Sequence, residues 1–557
     1  MNARARLAAL LVALCCAAAP ARAAFVIVNL DGAGEGFNDP TPAAPVGGNS
    51  GTTVGQQRLN AFIKAGQIWD AVLQSPIPIR VQASFDPLPC GVSSGVLGSA
   101  GANVLDSDFA NAPFPATWYS GAQANRLAGT DLDPVDDDIV AQFNSLVGTA
   151  SCLTARSWYY GFDGNEGASG IDLLAVLLHE FGHGLGFLTT TDETNGLYFA
   201  GQPFIWDRFL MDNVSGKHWN QMTPAERIAS SINTEHLVWD GPAVTNNAPR
   251  FLGKRARVLT SGALTGDFTS GQGVFYPTLT TAGVTAQVVL GNDGVGTTTD
   301  GCSALTNAGA VAGKIVLLDR SASCTIPAQA LNAQSAGAIG MILANNAAGP
   351  APPLRGAAPT VTIPVTSVSQ ADGNAIKAAL GGGVTATLSL DATKTAGVDA
   401  LGRVLMYAPN PDQPGSSVSH YDVSAFPNLL MEPAINPDIT NLDLTVANFY
   451  DIGWLPQTTD VPGGQGSALA FTHGPNPTRD GGTLRFRLPS AQRVRLALYD
   501  LGGRRIARLA DGPLDAGDHA IRWDRLDARG QRVAPGVYRA RLETGAETRT
   551  LDVVLLD

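Results

Sequence analysis

Beyond residue 23 the 557-residue chain has no run approaching the ~18 to 20 uncharged apolar residues that a membrane span requires. Charged residues make up only 15% of it and aromatic residues 7%, against 45% hydrophobic, so wholesale disorder is excluded. The 63 glycines show no three-residue period, which excludes collagen, and no short repeat is visible. Lysine is scarce, 6 against 30 arginines, the usage of a GC-rich bacterial source. There is no overall basic excess: the net charge is -12 and the isoelectric point near 5.0, which argues against a nucleic acid or an anionic membrane as partner. No CxxC pair and no zinc-finger spacing of Cys and His occurs.

The length predicts about three domains. Arg4 and Arg6, the apolar run Leu7 to Ala19 and the small-x-small triplet Ala21-Arg22-Ala23 read as a signal peptide over 1–23, cleaved after Ala23. The mature chain then carries 33 basic and 48 acidic side chains, a charge of -15, and is expected to be exported and soluble. Four cysteines remain. Cys90, Cys152, Cys302 and Cys324 allow three connectivities, and the domain organisation groups them as 90 with 152 and 302 with 324.

From residue 24 a Gly/Pro/Asn-rich stretch leads to an amphipathic helix whose apolar face is Leu59, Phe62, Ile63, Trp69, Val72 and Leu73. Pro76 and Pro78 end it, and Ile79 to Phe85 read as a strand. Residues 131–147 are expected to form a second helix, with Asp136, Asp137 and Asp138 in its first turn. Ile171 to Gly184 are expected to form a third. Over 255–395 the texture changes to short β-rich runs with few aromatics: strands at Thr285 to Leu290, Lys314 to Leu318 and Ile339 to Leu343, and a short helix from Ala328 to Ser335. Pro/Asn-rich loops return over 396–456, a Gly-rich linker follows at 457–466, and 467–557 read as an Arg-rich β-sandwich with strands such as Leu484 to Leu488 and Val494 to Tyr499.

The chemistry lies in His179-Glu180-Phe181-Gly182-His183. Residues i and i+4 share one helical face, so both imidazoles can address one zinc ion while Glu180 stands beside its open position. With 7 His and 9 Glu in the chain, about 0.001 such matches are expected at random, and Ile171, Leu174, Ala175 and Leu178 supply the helical context. A catalytic zinc needs a third protein ligand. Gly186 fits the glycine of HExxHxxGxxH, but position 189 is threonine. The remaining histidines are His218, His236, His420, His473 and His519, and the acidic alternatives are Asp192, Glu193 and Asp207.

HEFGHGLGF at 179–187, followed by Ser416-Ser417-Val418-Ser419-His420-Tyr421 and then Asn428-Leu429-Leu430-Met431-Glu432-Pro433, resembles the leishmanolysin family of metzincin proteases. The resemblance implies zinc held by His179, His183 and His420, Glu180 as general base, and Met431 in a turn beneath the metal. The chain between Gly186 and His420 is far longer than that family's ordinary insertion. The middle region explains the excess: Gly313 to Arg320, Cys324, Gln334, Ala336 to Gly340, Ile363-Pro364-Val365 and Asp372-Gly373 resemble a protease-associated (PA) domain, a non-catalytic module set in a loop. The C-terminal region, with Leu498-Tyr499-Asp500, Gly517-Asp518-His519, Trp523-Asp524 and Ala534 to Tyr538, is similar to the Ig-like fold of flagellar hook-capping proteins.

The expectation is therefore a multidomain protein: a split α+β zincin catalytic domain (24–254 and 396–456), an inserted β-rich PA domain (255–395) and a C-terminal β-sandwich (467–557). Its function is expected to be that of a secreted zinc endopeptidase acting on protein or peptide substrates, which the PA domain contacts. The competing reading is an exported adhesion or binding protein with a structural zinc site; an intact Glu180 speaks against it, since a structural site has no use for a base. For Asp131, Asp133, Asp136, Asp137 and Asp138 two readings stand, a structural Ca2+ site and a solvated turn before a helix, and the lack of EF-hand spacing favours the turn.

Overall fold

The computed structural model describes residues 25–454, apart from 74, 168, 274–276, 278, 355–359, 436–438, 440 and 441. Further along it describes 471–474, 481–488, 491–499, 504–515, 517–527, 529–534, 536–544 and 548–555. The expected signal peptide and the linker at 457–466 lie outside the described residues. The chain divides into two units, Met1–Gln457 and Thr458–Asp557.

The first unit begins with a four-stranded sheet of β1 (Phe25–Asn29), β2 (Ile79–Asp86), β3 (Gly98–Ala102) and β4 (Ile139–Asn144) in the order β1-β2-β4-β3. The first three of these neighbours run parallel; β3 is an antiparallel edge. On β2 the alternation Ile79, Val81, Ala83, Phe85 faces the core. Helix α1 (Val54–Leu73) buries Ala61, Phe62, Ala65, Trp69 and Leu73 along one stripe, while Ile63, expected on that face, is 43% exposed. Helix α2 (Leu173–Leu185) packs on α1, and the Trp69 Nε1–H donates to the Leu178 carbonyl at 3.2 Å. Each fully buried Leu or Phe of this core contributes roughly 1.5–3 kcal/mol.

Residues 131–147 do not form the expected helix. Turns carry the chain to strand β4, where Ile139, Ala141 and Phe143 alternate inward with period 2. The carboxylates pin the strand's start: Asp138 Oδ2 accepts the Arg80 N–H at 2.8 Å, and Arg80 Nε lies 2.5 Å from Asp137 Oδ1.

A seven-stranded sheet spans Lys254 to Thr395. The incoming strand Lys254–Gly262 pairs antiparallel with the outgoing strand Val384–Thr395, so the two ends of this segment lie side by side. Ala396 N–H donates to the Gly253 carbonyl at 2.9 Å across the junction. In its parallel half, Val316 and Leu318 pack on one face with Ala330 and Ala333 of helix Ile326–Ser335, and Ile315 and Leu317 pack on the other with Ile376. Continuous apolar strands such as Ile315–Asp319 follow from burial on both faces. Beyond this sheet, Val404–Leu405 pairs with Leu237–Trp239, returning the chain to elements laid down before it. Disulfides join Cys90 to Cys152 and Cys302 to Cys324, with Cα separations of 5.2 and 5.6 Å.

The second unit is a pair of antiparallel sheets, one of three strands (Phe471–Gly474, Gly482–Leu488, Gly517–Trp523) and one of four (Arg505–Leu514, Gln492–Tyr499, Gly536–Glu543, Thr548–Leu555). Leu484, Phe486 and Leu488 of one meet Val494, Leu496, Leu498, Ala540 and Leu542 of the other in a single core. Among the described residues no helix is long and apolar enough to cross a membrane.

Candidate metal centre

Helix α2 is started by Asp172, whose Oδ1 accepts the Leu174 N–H at 2.8 Å and the Ala175 N–H at 3.4 Å. Its two glycines serve close approach. A Cβ on Gly184 would lie 2.5 Å from Ile139 Cγ2 of β4, and one on Gly182 would lie 2.8 Å from Met431 Sδ. Gly186 follows the helix at φ +120°, turning the chain so that the Phe187 carbonyl returns to His183 Nδ1 at 2.7 Å.

His420 reaches the same place from the far side of the insert. Its Nδ1 lies 2.7 Å from the Ser416 carbonyl, a contact made by a turn through Val418 at φ +65°. That backbone is unusual for a β-branched residue and costs of order 1–3 kcal/mol. His179 Nδ1 meets the Leu430 carbonyl at 2.7 Å, in the turn that carries the fully buried Met431. Asp443 holds that turn from behind, accepting the Leu430 N–H at 2.6 Å.

The three Nε2 atoms converge, at 3.1 Å (His179 to His183), 3.2 Å (His183 to His420) and 3.3 Å (His179 to His420). Among the described residues this is the one group of three or more His, Cys, Asp or Glu whose ligand atoms all lie within 4.8 Å of one another. The tautomers follow from the carbonyls. Each Nδ1 must carry the proton it donates, so each Nε2 presents a lone pair. Three lone pairs at this spacing repel, and a cation among them turns that repulsion into coordination; neutral imidazoles on a tetrahedral ion with one open position are the donor set of catalytic zinc. Burial keeps the rings neutral: it takes His179 down to about 4 and His183 to about 3, the latter helped by His179, and His420 lies well below its ordinary value for the same reasons.

Glu180 is 8% exposed beside this group, and its Oε2 accepts the Ala100 N–H of edge strand β3 at 3.0 Å. Burial pushes its carboxyl up to about 8, and the Ala100 N–H pulls the other way.

The acidic alternatives are placed elsewhere. Asp207 is fully buried but accepts the Thr189 Oγ1–H at 2.6 Å, the Thr191 Oγ1–H at 2.8 Å and the Phe204 N–H at 3.0 Å. It braces the loop after the helix, and Thr189 in turn donates its N–H to Ser419 Oγ at 3.1 Å, next to His420. Asp192 closes a local turn with Thr194 and Asn195, and Glu193 stands outside the histidine group. His218 pairs with Asp240 at 2.9 Å, His236 with Asn213 at 2.8 Å, and His519 stacks on Phe486. The carboxylates of 131–138 form no cation-sized group among the described residues, so the calcium reading gains no support. The Asp207 brace, the Ala100 donor and the Asp443 clamp were not foreseen; two act on backbone groups, which leave no residue pattern, and only the proximity of Asp207 to the motif marked it.

Residues 284–376 match the PA domain family, so the chain carries a PA domain, and the three histidines lie outside it. No curated protein matches the chain. Among solved structures it is similar to BSAP, a zinc aminopeptidase from Bacillus subtilis, at 20% identity over 27% of this chain and 37% of that one, with a TM-score of 0.19. An aminopeptidase from Aneurinibacillus sp. strain AM-1 is 15% identical over 36% of this chain and 44% of that one, with a TM-score of 0.18. FLGD from P. aeruginosa is 27% identical over 13% of this chain and 55% of that one, with a TM-score of 0.11. The chain thus spans less than half the length of either peptidase.

Proposed function

We propose that the protein is a secreted zinc endopeptidase of the metzincin type, resembling leishmanolysin, with a PA domain inserted in its catalytic domain and an Ig-like sandwich at its C-terminus. The observation that carries this reading is the convergence of three Nε2 lone pairs, each Nδ1 proton consumed by a carbonyl, beside a buried carboxylate on the same helix. His179, His183 and His420 would hold the ion. Bound there, zinc supplies a Lewis acid that polarises a scissile carbonyl and acidifies water.

The chain's own groups supply the rest. The Glu180 carboxyl would be drawn back to its ionised form by a cation held beside it; with Oε2 held by the Ala100 N–H, Oε1 would then take the proton of the attacking water and deliver it to the leaving amine. The carbonyls of Leu430, Phe187 and Ser416 fix the ring orientations and raise the basicity of each Nε2. Met431, packed against the Gly182 gap, shapes the floor beneath the helix.

The adhesion reading, with zinc as a structural staple, is weaker because structural sites close with four protein ligands and this group has three. The test is casein hydrolysis with and without a chelator, with the products sequenced. Chelator-sensitive cuts at internal bonds support the proposal. Release of single N-terminal residues would make the enzyme an aminopeptidase, and no hydrolysis by zinc-loaded protein would return it to the adhesion reading.

A further inference from the structure

The charge of the chain is unevenly placed. Residues 467–557 contain fifteen arginines, no lysine and eleven carboxylates, a net +4, whereas 24–466 contain 18 basic and 37 acidic side chains, a net -19. The four-stranded sheet of the second unit gathers much of the excess on one face.

Strand Gln492–Tyr499 turns Val494, Leu496 and Leu498 to the core and Arg493, Arg495 and Tyr499 outward, with Ala497 buried at 7% exposure between them. Its neighbours bring further arginines beside it, on the Arg505–Leu514 side across register shifts between Leu496 and Ala497 and between Leu498 and Tyr499. Ala497 stands between Arg508 and Arg541, and Tyr499 between Arg505 and Arg539. Two arginine rows therefore flank a small residue and an aromatic one, the rows about 10 Å apart across two strand spacings. At one end, three guanidinium groups share one carboxylate: Arg493 lies 2.9 Å, Arg495 3.6 Å and Arg508 3.0 Å from Asp511. These arginine side chains are 64%, 63% and 52% exposed, and Arg541, paired with Glu543, is 47% exposed.

Stability does not explain the arrangement. Exposed ion pairs are worth ~0–1 kcal/mol, and one carboxylate cannot satisfy three guanidiniums that repel one another. We propose that this face docks an acidic polysaccharide, its carboxylates bridged by the two arginine rows and a sugar ring laid on Tyr499. Guanidinium forks suit carboxylates bidentately, which fits a basic surface built from arginine alone. A single-stranded nucleic acid would want several stacking aromatics, and the described face has one. A membrane would want exposed apolar side chains, and among the described residues of this unit the one large apolar side chain that is exposed is Leu526, off these strands. The net -19 of residues 24–466 directs an anionic polymer away from them and towards residues 467–557.

The test uses the full mature protein on immobilised alginate, a polymer of uronic acids, with neutral dextran and phosphatidylglycerol vesicles as the other arms. Retention on alginate but not dextran, lost as salt is raised to about 0.15 M, is expected. The double variant Arg495→Gln/Arg541→Gln should bind about tenfold to thirtyfold more weakly. Asp511→Asn, which frees three guanidiniums, should bind more tightly, a direction that a damaged fold would not produce. Undiminished binding by the Gln variant or weaker binding by Asp511→Asn overturns the proposal. So does capture by the vesicles without capture by alginate, which would identify lipid headgroups.

Discussion

Gly182 and Met431 occupy each other's space: the side chain that Gly182 lacks would sit 2.8 Å from the Met431 sulfur and 3.1 Å from its methyl carbon. The missing methyl lets the turn at 428–433 come under the helix that carries both motif histidines. Gly182→Ala should gain about 1 kcal/mol of helix propensity and lose about 1–3 kcal/mol to overpacking, a net loss seen as a lower midpoint in urea. Combining it with Met431→Ala should cost less than the two single changes together, and strict additivity would refute the contact.

Glu180→Gln should keep stoichiometric zinc and lose at least 10²-fold in kcat, because the proton acceptor is removed while all three imidazoles stay anchored. Metal analysis and casein turnover on the same sample check both halves. Loss of zinc from a folded Glu180→Gln protein would show that the carboxylate is a ligand.

His420→Ala should lower zinc affinity severely, reducing three ligands to two. Asp207→Ala should instead leave a folded protein with zinc bound, less stable by roughly 2–4 kcal/mol, because Thr189, Thr191 and the Phe204 N–H lose a buried acceptor. The reverse pattern in a chelator competition would make Asp207 the third ligand.

What could be read in the residues is what is local. An i, i+4 pair with its intervening glutamate announces its chemistry through helical spacing alone, and the continuous apolar runs of the insert, such as Ile315–Asp319, announce strands buried on both faces. The helix expected over 131–147 failed because three successive aspartates imitate a helix start; the period-2 burial of Ile139, Ala141 and Phe143 was the better signal. His420 could be singled out from the other histidines only through family resemblance, since no spacing rule connects positions so far apart. Asp207, one of the three acidic alternatives, shows where the residues alone stop deciding. A carboxylate downstream of the motif looks the same in sequence whether it binds a metal or two threonine hydroxyls.

The two ends of the segment 254–395 meet where the Ala396 N–H donates to the Gly253 carbonyl. Removing 254–395 and bridging those residues with a short flexible linker should leave a folded core that binds zinc. Circular dichroism and metal stoichiometry of the shortened chain test it. An unfolded product would mean that the rest of the first unit does not fold without the seven-stranded sheet.

Burial, with Asp412, Asp192 and Asp207 around it, pushes the Glu193 carboxyl up to about 7. The folded state therefore holds this proton more tightly than the unfolded state does. Its contribution to stability is complete below the unfolded value near 4.5 and is lost as pH rises through about 7. Glu193→Gln should flatten the fall in Tm between pH 5 and 8, and an unchanged slope would place the cause elsewhere.

The distance of 237 residues between His183 and His420 also sets an order of events. A chain made from its N-terminus holds two of the three imidazoles long before the last one is added. Throughout that interval the histidine group is incomplete, and the PA domain must be made before His420 can join it. The three-histidine group is thus completed late in synthesis, only after the PA domain has been made.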